Sequence, residues 1–158
     1  VTPTPAGAAA STQAAAGRPT ATRRSGTSPV ERRRRPVVLI VDDLSDQREL
    51  YASYLVYLGY RVEEAGGGVE AIARAIEVQP DLIIMDLAMP GLDGFDATRV
   101  LKAVSLTKGI PVVALTAHGE HLPREWAAMA GCDLYLRKPV LPGDLAGEID
   151  RLLRKNRN

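Results

Sequence analysis

Cysteine, aromatic side chains and long apolar runs are all scarce in this chain, and each scarcity removes a class of explanation. The single cysteine, Cys132, excludes an internal disulfide and suits a reducing compartment, so a cytoplasmic location is expected. No apolar stretch approaches the roughly 20 residues needed to cross a bilayer, and the alanine-rich start lacks the leucine-rich core of a secretory signal. The two histidines, His118 and His121, sit in one short stretch without thiolates, a poor donor set for zinc. No period of about 20–50 residues recurs, which argues against a solenoid. The first residue is Val1 rather than methionine, which leaves open an alternative start or a cut from a longer chain.

Residues 1–35 lack nearly everything that builds a core. They are almost wholly Ala, Thr, Pro, Gly, Ser and Arg, with Val1 and Val30 the only large aliphatics, and are expected to form a disordered tail. This tail holds seven arginines against one acid, whereas residues 36–158 hold 13 basic and 18 acidic side chains. A basic arm suits nucleic acid, anionic lipid or an acidic partner. The run Arg32-Arg33-Arg34-Arg35 has no aromatic neighbour to stack on bases, however, so a solubilising linker is the simpler reading and nucleic acid is not the expected partner.

Residues 36–155 read as one α/β domain. Strand candidates at 37–41, 60–64, 81–85, 111–115 and 133–137 alternate with helical patterns at about 46–58, 69–78, 94–104, 122–130 and 142–154, and Tyr60-Arg61-Val62-Glu63-Glu64, which alternates, is expected at an edge. In the first helix Ser45 is the expected cap and Leu50, Tyr54 and Leu58 the expected core stripe. Val69, Ile72 and Ile76 take that role in the second, Phe95, Leu101 and Val104 in the third, and Leu145, Ile149, Leu152 and Leu153 in the last. Pro123 suits the first turn of the fourth helix, whose Ala127 and Ala130 form a close-packing face that turns Trp126 outward beside Met129. Cys132 reads as a small buried filler. Right-handed crossovers then give a flavodoxin-like, doubly wound five-stranded parallel sheet of order 2-1-3-4-5 with helices on both faces.

Four of these runs are followed by polar residues: Asp42-Asp43, Asp86, Thr116 and Lys138-Pro139. Ligands of open α/β sheets bind at the carboxyl ends of the strands, at the point where strand order reverses. Three carboxylates, a hydroxyl and an ammonium meeting there suit a hard divalent cation and a phosphoryl group. Taken singly, Asp42-Asp43 would be helix-start acids, Lys138 a solvated lysine and Tyr135 a packing residue. Their joint order favours a site.

Read together, Val41-Asp42-Asp43, Met85-Asp86-Leu87-Ala88-Met89-Pro90-Gly91-Leu92-Asp93-Gly94, Leu115-Thr116-Ala117 and Tyr135-Leu136-Arg137-Lys138-Pro139 resemble the receiver domain of two-component response regulators. The likeness spans about 36–154. It implies that Asp86 is the phosphoacceptor, that Asp42, Asp43, Asp86 and the backbone carbonyl of Ala88 hold Mg²⁺, and that Lys138 pairs with a phosphoryl oxygen, with Pro139 in a commonly cis peptide. Thr116 and Tyr135 are implied as switch residues. His118 falls at a variable position that affects how water reaches the acyl phosphate.

The resemblance further implies a signalling phosphoacceptor rather than an enzyme, catalysing at most its own phosphorylation and dephosphorylation. Its donor would be a sensor histidine kinase or phosphotransfer protein, and its output a downstream protein meeting the face of helix 4, strand 5 and helix 5. With only five residues after Leu153, a stand-alone, chemotaxis-type receiver is the expected context. The C-terminal receiver of a hybrid histidine kinase is the alternative. A non-phosphorylated interaction scaffold with a nucleic-acid-binding basic tail is a third.

Overall fold

The computed structural model describes residues 34–117 and 124–158. Expectations for residues 1–33, and for His118, His121 and Pro123, lie outside them. Ten elements alternate along the chain: β1 (Val37–Val41), α1 (Ser45–Tyr57), β2 (Arg61–Ala65), α2 (Gly68–Val78), β3 (Leu82–Asp86), α3 (Gly94–Ala103), β4 (Val112–Thr116), α4 (Arg124–Ala130), β5 (Leu134–Arg137) and α5 (Pro142–Lys155). The strands form one parallel sheet in the order β2-β1-β3-β4-β5, the doubly wound flavodoxin-like arrangement expected from the crossover rules.

Two apolar layers sandwich the sheet because successive strand side chains alternate faces. Val38, Ile40, Leu82, Ile84, Val113 and Leu115 pack under α1 and α5, while Leu39, Val41, Ile83, Met85, Val112 and Ala114 pack under α2 and α3. Coverage on both sides explains why β1, β3 and β4 are buried at every position and why their sequences are continuously apolar. Full burial of each large side chain contributes roughly 1.5–3 kcal/mol. β2 lies at the sheet edge, but its burial does not alternate: Arg61 and Glu64 are exposed, Val62 and Glu63 partly buried and Ala65 buried.

Strands β2 to β5 begin one residue later than the apolar pattern suggested. Residues just before two of them turn aside to serve a neighbouring strand: the Asp81 carboxylate accepts the Val37 N–H at 2.7 Å and the Asp133 carboxylate accepts the Val112 N–H at 2.8 Å. Pro111, ahead of β4, has no N–H to place in a ladder. Asp86 and Thr116 are therefore the last residues of their strands rather than loop residues beyond them.

Two helices present a different face from the expected stripe. In α1 the buried residues are Tyr51, Ala52 and Leu55, while Leu50 and Leu58 face solvent and Tyr54 is partly buried. The small Ala52 permits close approach to the sheet, and Tyr51 gains a hydrogen bond from its hydroxyl to the Val140 carbonyl at 3.0 Å. In α2 it is Gly68, Ala71 and Ala75 that are buried, whereas Val69 and Ile76 are exposed and Ile72 is partly buried. A Cβ at Gly68 would collide with the Leu92 carbonyl, so close packing of this helix selects the smallest side chains over the largest.

The helix-start expectation for Ser45 also changes. Leu44 is the extended N-cap residue, and the Asp42 carboxylate accepts the Leu44 N–H at 2.9 Å. In α3, Leu101 is buried, with Val104 following the helix as its C-cap. The stripe of α5 is buried as expected at Leu145, Ile149, Leu152 and Leu153. Ala127 and Ala130 of α4 are buried, leaving Trp126 and Met129 exposed. Cys132 is half-buried rather than fully enclosed; burial pushes its thiol up to about 11, against a hydrogen bond with Thr98 that acts the other way.

Candidate functional site

The alternation that builds the core also builds the site. Continuing Val38-Ile40, Leu82-Ile84 and Leu134-Leu136 by two positions reaches Asp42, Asp86 and Lys138, all on the α1/α5 side of the sheet. There the Lys138 ammonium donates to Asp42 Oδ2 at 2.9 Å and to Asp86 Oδ2 at 3.1 Å. Asp43 completes an acidic group: one carboxylate oxygen from each of Asp42, Asp43 and Asp86 lies within 4.8 Å of the others. Asp42 and Asp86 are buried, and Asp43 lies nearer solvent.

Main-chain bonds fix these side chains. The Ala88 N–H donates to Asp86 Oδ1 at 3.0 Å, and the Lys138 N–H donates to the Thr116 carbonyl at 2.7 Å. The Lys138–Pro139 peptide is cis, the form the resemblance associates with this position. The loop from Asp86 to α3 turns through Gly91, whose φ of 75° suits glycine. It then returns so closely that a Cβ on Gly94 would strike the Asp86 carbonyl and stand 2.8 Å from Leu87 Cα.

Burial raises the Asp86 carboxyl above the usual carboxylate range, opposed by the Ala88 N–H and the Lys138 charge and reinforced by Asp42. Burial pulls the Lys138 ammonium down, but the bond to Asp42 and the charge of Asp86 outweigh it and the group is raised overall. A buried ammonium held between two carboxylates stays charged, with its donors already aimed at the pocket where the acids gather.

Thr116 and Tyr135 belong to the other face. Thr116 follows Val112 and Ala114, and Tyr135 pairs with Ala114 in the β4–β5 register while packing against the α2/α3 layer. The Thr116 hydroxyl is fully buried and has no hydrogen-bond partner among the described residues. An orphaned buried hydroxyl costs roughly 1–3 kcal/mol unless some state of the protein supplies a partner. Two further residues were not anticipated from sequence. Arg48 donates from Nη1 to the Asp42 carbonyl at 2.7 Å, and Tyr51 braces Val140 just beyond Lys138. Arg48 lies six positions after Asp42, one turn into α1, a spacing that would have placed it beside the acidic loop.

The model of the response regulator receiver domain matches residues 38–150. The chain belongs to the receiver domain family of response regulators.

Among curated relatives, this receiver domain is 39% identical over 118 residues to the transcriptional regulatory protein ResD of Bacillus subtilis, covering 75% of this chain and 48% of ResD. It is 37% identical over 118 residues to the phosphate regulon transcriptional regulatory protein PhoB of Pseudomonas aeruginosa, covering 75% of this chain and 52% of PhoB. The chain thus spans about half the length of the curated relatives it matches.

Among solved structures, the receiver domain superposes on the Vibrio cholerae chemotaxis protein CheY4 with a TM-score of 0.70 at 31% identity, covering 75% of this chain and 98% of that one. It also superposes on the receiver domain of the sensor histidine kinase PA1611 of Pseudomonas aeruginosa PAO1, with a TM-score of 0.70 at 32% identity, covering 76% and 98%. That structure has a magnesium ion coordinated in its active-site cleft. No helix among the described residues is long and apolar enough to cross a membrane.

Proposed function

We propose that this receiver domain accepts a phosphoryl group on Asp86 from the phosphohistidine of a sensor histidine kinase or phosphotransfer protein, in a Mg²⁺-dependent step. The observation that carries this is the contact of one ammonium, Lys138, with both Asp42 and Asp86 beside a third acid, Asp43. An Asp86 carboxylate oxygen attacks phosphorus, the P–N bond breaks, and its electron pair leaves with the imidazole, giving an acyl phosphate.

Asp42, Asp43, Asp86 and the Ala88 carbonyl are the residues that would hold Mg²⁺, a donor set matching a hard cation that prefers a few carboxylates and keeps several waters. When bound, the ion neutralises phosphoryl oxygens that the carboxylates alone would repel. Lys138 leaves Asp86 for a phosphoryl oxygen, and Ala88 N–H stays against the acceptor carboxylate. Thr116 then gains the partner its hydroxyl lacks. Its movement frees space on the α2/α3 side that Tyr135 takes up, biasing the face of α4, β5 and α5 toward a downstream protein. The protein signals and is not an enzyme with a separate substrate; a cytoplasmic location follows from a cytoplasmic donor.

Acetyl phosphate with Mg²⁺ should add one phosphoryl group, seen by intact mass, and Asp86→Asn should abolish the addition. Equal labelling of Asp86→Asn would refute the assignment. Lys138→Ala should permit some labelling while leaving Trp126 emission unchanged by it.

The half-length match to transcriptional regulators supports a second context, in which the receiver serves a longer DNA-binding or hybrid-kinase chain rather than acting alone. The full-length reading frame decides between them.

A further inference from the structure

The loop that carries Asp42 and Asp43 has one attachment that neither the core nor the proposed chemistry accounts for. At the end of β1 the Asp42 N–H still bonds the Ala65 carbonyl at 3.2 Å, but β2 ends at Ala65 and the chain turns away through Gly66. The Asp42 carbonyl receives instead the Arg48 guanidinium at 2.7 Å. The same guanidinium is held by Glu64 of β2, whose carboxylate accepts from Arg48 Nε at 3.3 Å, and its side chain is only 21% exposed. The turn at Gly66 runs directly beside it, where a Cβ would make ordinary contact with Nη1 at 3.6 Å. Arg48 therefore ties three elements together at the point where the ladder stops.

We infer that Arg48 is a positioning residue for the acidic loop, presenting the Asp42 and Asp43 carboxylates to Mg²⁺ by clamping the Asp42 carbonyl between α1 and β2. The inference rests on the magnesium-dependent reading given above. All other polar groups of Asp42 are already committed, with Oδ1 on the Leu44 N–H and Oδ2 on Lys138, so the carbonyl clamp completes the immobilisation of this residue. Without it the loop keeps its acids but loses their fixed spacing. Groups that orient metal ligands in this way commonly set affinity by 10-fold or more. Arginine is needed because its planar fork meets a carbonyl and a carboxylate together, which a lysine ammonium at the same place does not reproduce.

Arg48→Lys separates this role from electrostatics, since it keeps the positive charge whereas charge deletion would by itself tighten cation binding. Titration calorimetry with MgCl₂ on the full chain should show about 10-fold weaker binding for Arg48→Lys, with a metal-free thermal midpoint close to the parent's. Glu64→Asp, which keeps the negative charge but shortens the anchor of Arg48, should weaken Mg²⁺ binding by about 2- to 3-fold. Arg74→Lys disturbs the neighbouring 2.8 Å ion pair with Glu63 on the same strand and should leave Mg²⁺ affinity unchanged. A parent that binds no Mg²⁺ overturns the magnesium reading itself. A parent that binds while Arg48→Lys and Glu64→Asp bind equally well, or while Arg74→Lys weakens as much as they do, overturns the role of Arg48 alone.

Discussion

Lys138 and Asp86 stand 52 positions apart in the chain and 3.1 Å apart at the carboxyl edge of the sheet. The ammonium is thus preplaced where a phosphoryl group on Asp86 would need it. It also keeps two buried carboxylates from facing each other uncompensated, since it reaches Asp42 at 2.9 Å. Truncating one partner of such a buried cluster leaves the remaining charges unpaired. The chemistry and the local stability of the sheet edge are accordingly coupled.

Asp43, at the solvent side of the acidic group, separates metal binding from folding. Asp43→Asn should change metal-free stability by no more than about 0.5 kcal/mol. It should also remove the stabilisation that Mg²⁺ gives the parent, about 1.4 kcal/mol at ten times Kd. Urea unfolding with and without MgCl₂ measures both, and an unaltered Mg²⁺ response in the variant contradicts the ligand role.

Thr116→Val replaces the orphaned hydroxyl by a methyl of similar shape. Because no described residue satisfies that oxygen, the variant should be about 1 kcal/mol more stable than the parent. Under the proposed function it should still accept phosphate on Asp86 but lose the associated change in Trp126 fluorescence. A destabilised variant would mean that the hydroxyl has a partner in the unphosphorylated protein.

Gly94→Ala brings a methyl group into the Asp86 carbonyl, and backbone cannot yield as a flexible side-chain tip would. The expected loss is about 1–3 kcal/mol, together with, under the proposed function, slower labelling by acetyl phosphate because the strand end at Asp86 is displaced. A Gly91→Ala variant is strained through its φ of 75° instead and meets no neighbour, so comparing their labelling rates separates displacement of the acceptor from general strain.

Asp81→Ala leaves the first N–H of β1 without the carboxylate that receives it at 2.7 Å. The expected destabilisation is about 1–3 kcal/mol, with Mg²⁺ affinity unchanged because Asp81 lies at the opposite end of the strands from the acids. Denaturant midpoints and calorimetry test the two halves of this statement.

Cys132 carries a pH signature. Its thiol is raised from 9.0 to about 11, so above pH 9 the unfolded chain loses this proton while the folded chain keeps it. The unfolded state then binds fewer protons than the native one, and stability falls as pH rises through that window. Cys132→Ala should remove this part of the decline. Alkylation of the native protein by iodoacetamide should be slow at pH 8 and accelerate toward about pH 11.

Sequence alone determined the architecture and named the residues of the candidate site. Short strand-like runs separated by helical stretches admit few arrangements once crossovers are right-handed, and Asp42, Asp86, Thr116 and Lys138 each follow such a run. Tertiary structure decided which face each helix buries and what anchors the site. Leu50 and Val69 gave way to Tyr51 and Ala71 because close approach to a twisted sheet, and a hydrogen bond 89 positions away at Val140, outweigh side-chain hydrophobicity. The same holds for Arg48: along the chain it is one more charged helix residue, and only the departure of β2 at Gly66 leaves the Asp42 carbonyl for it to bind. Local periodicity encodes elements, whereas partners supplied by distant segments exist only after the sheet has formed.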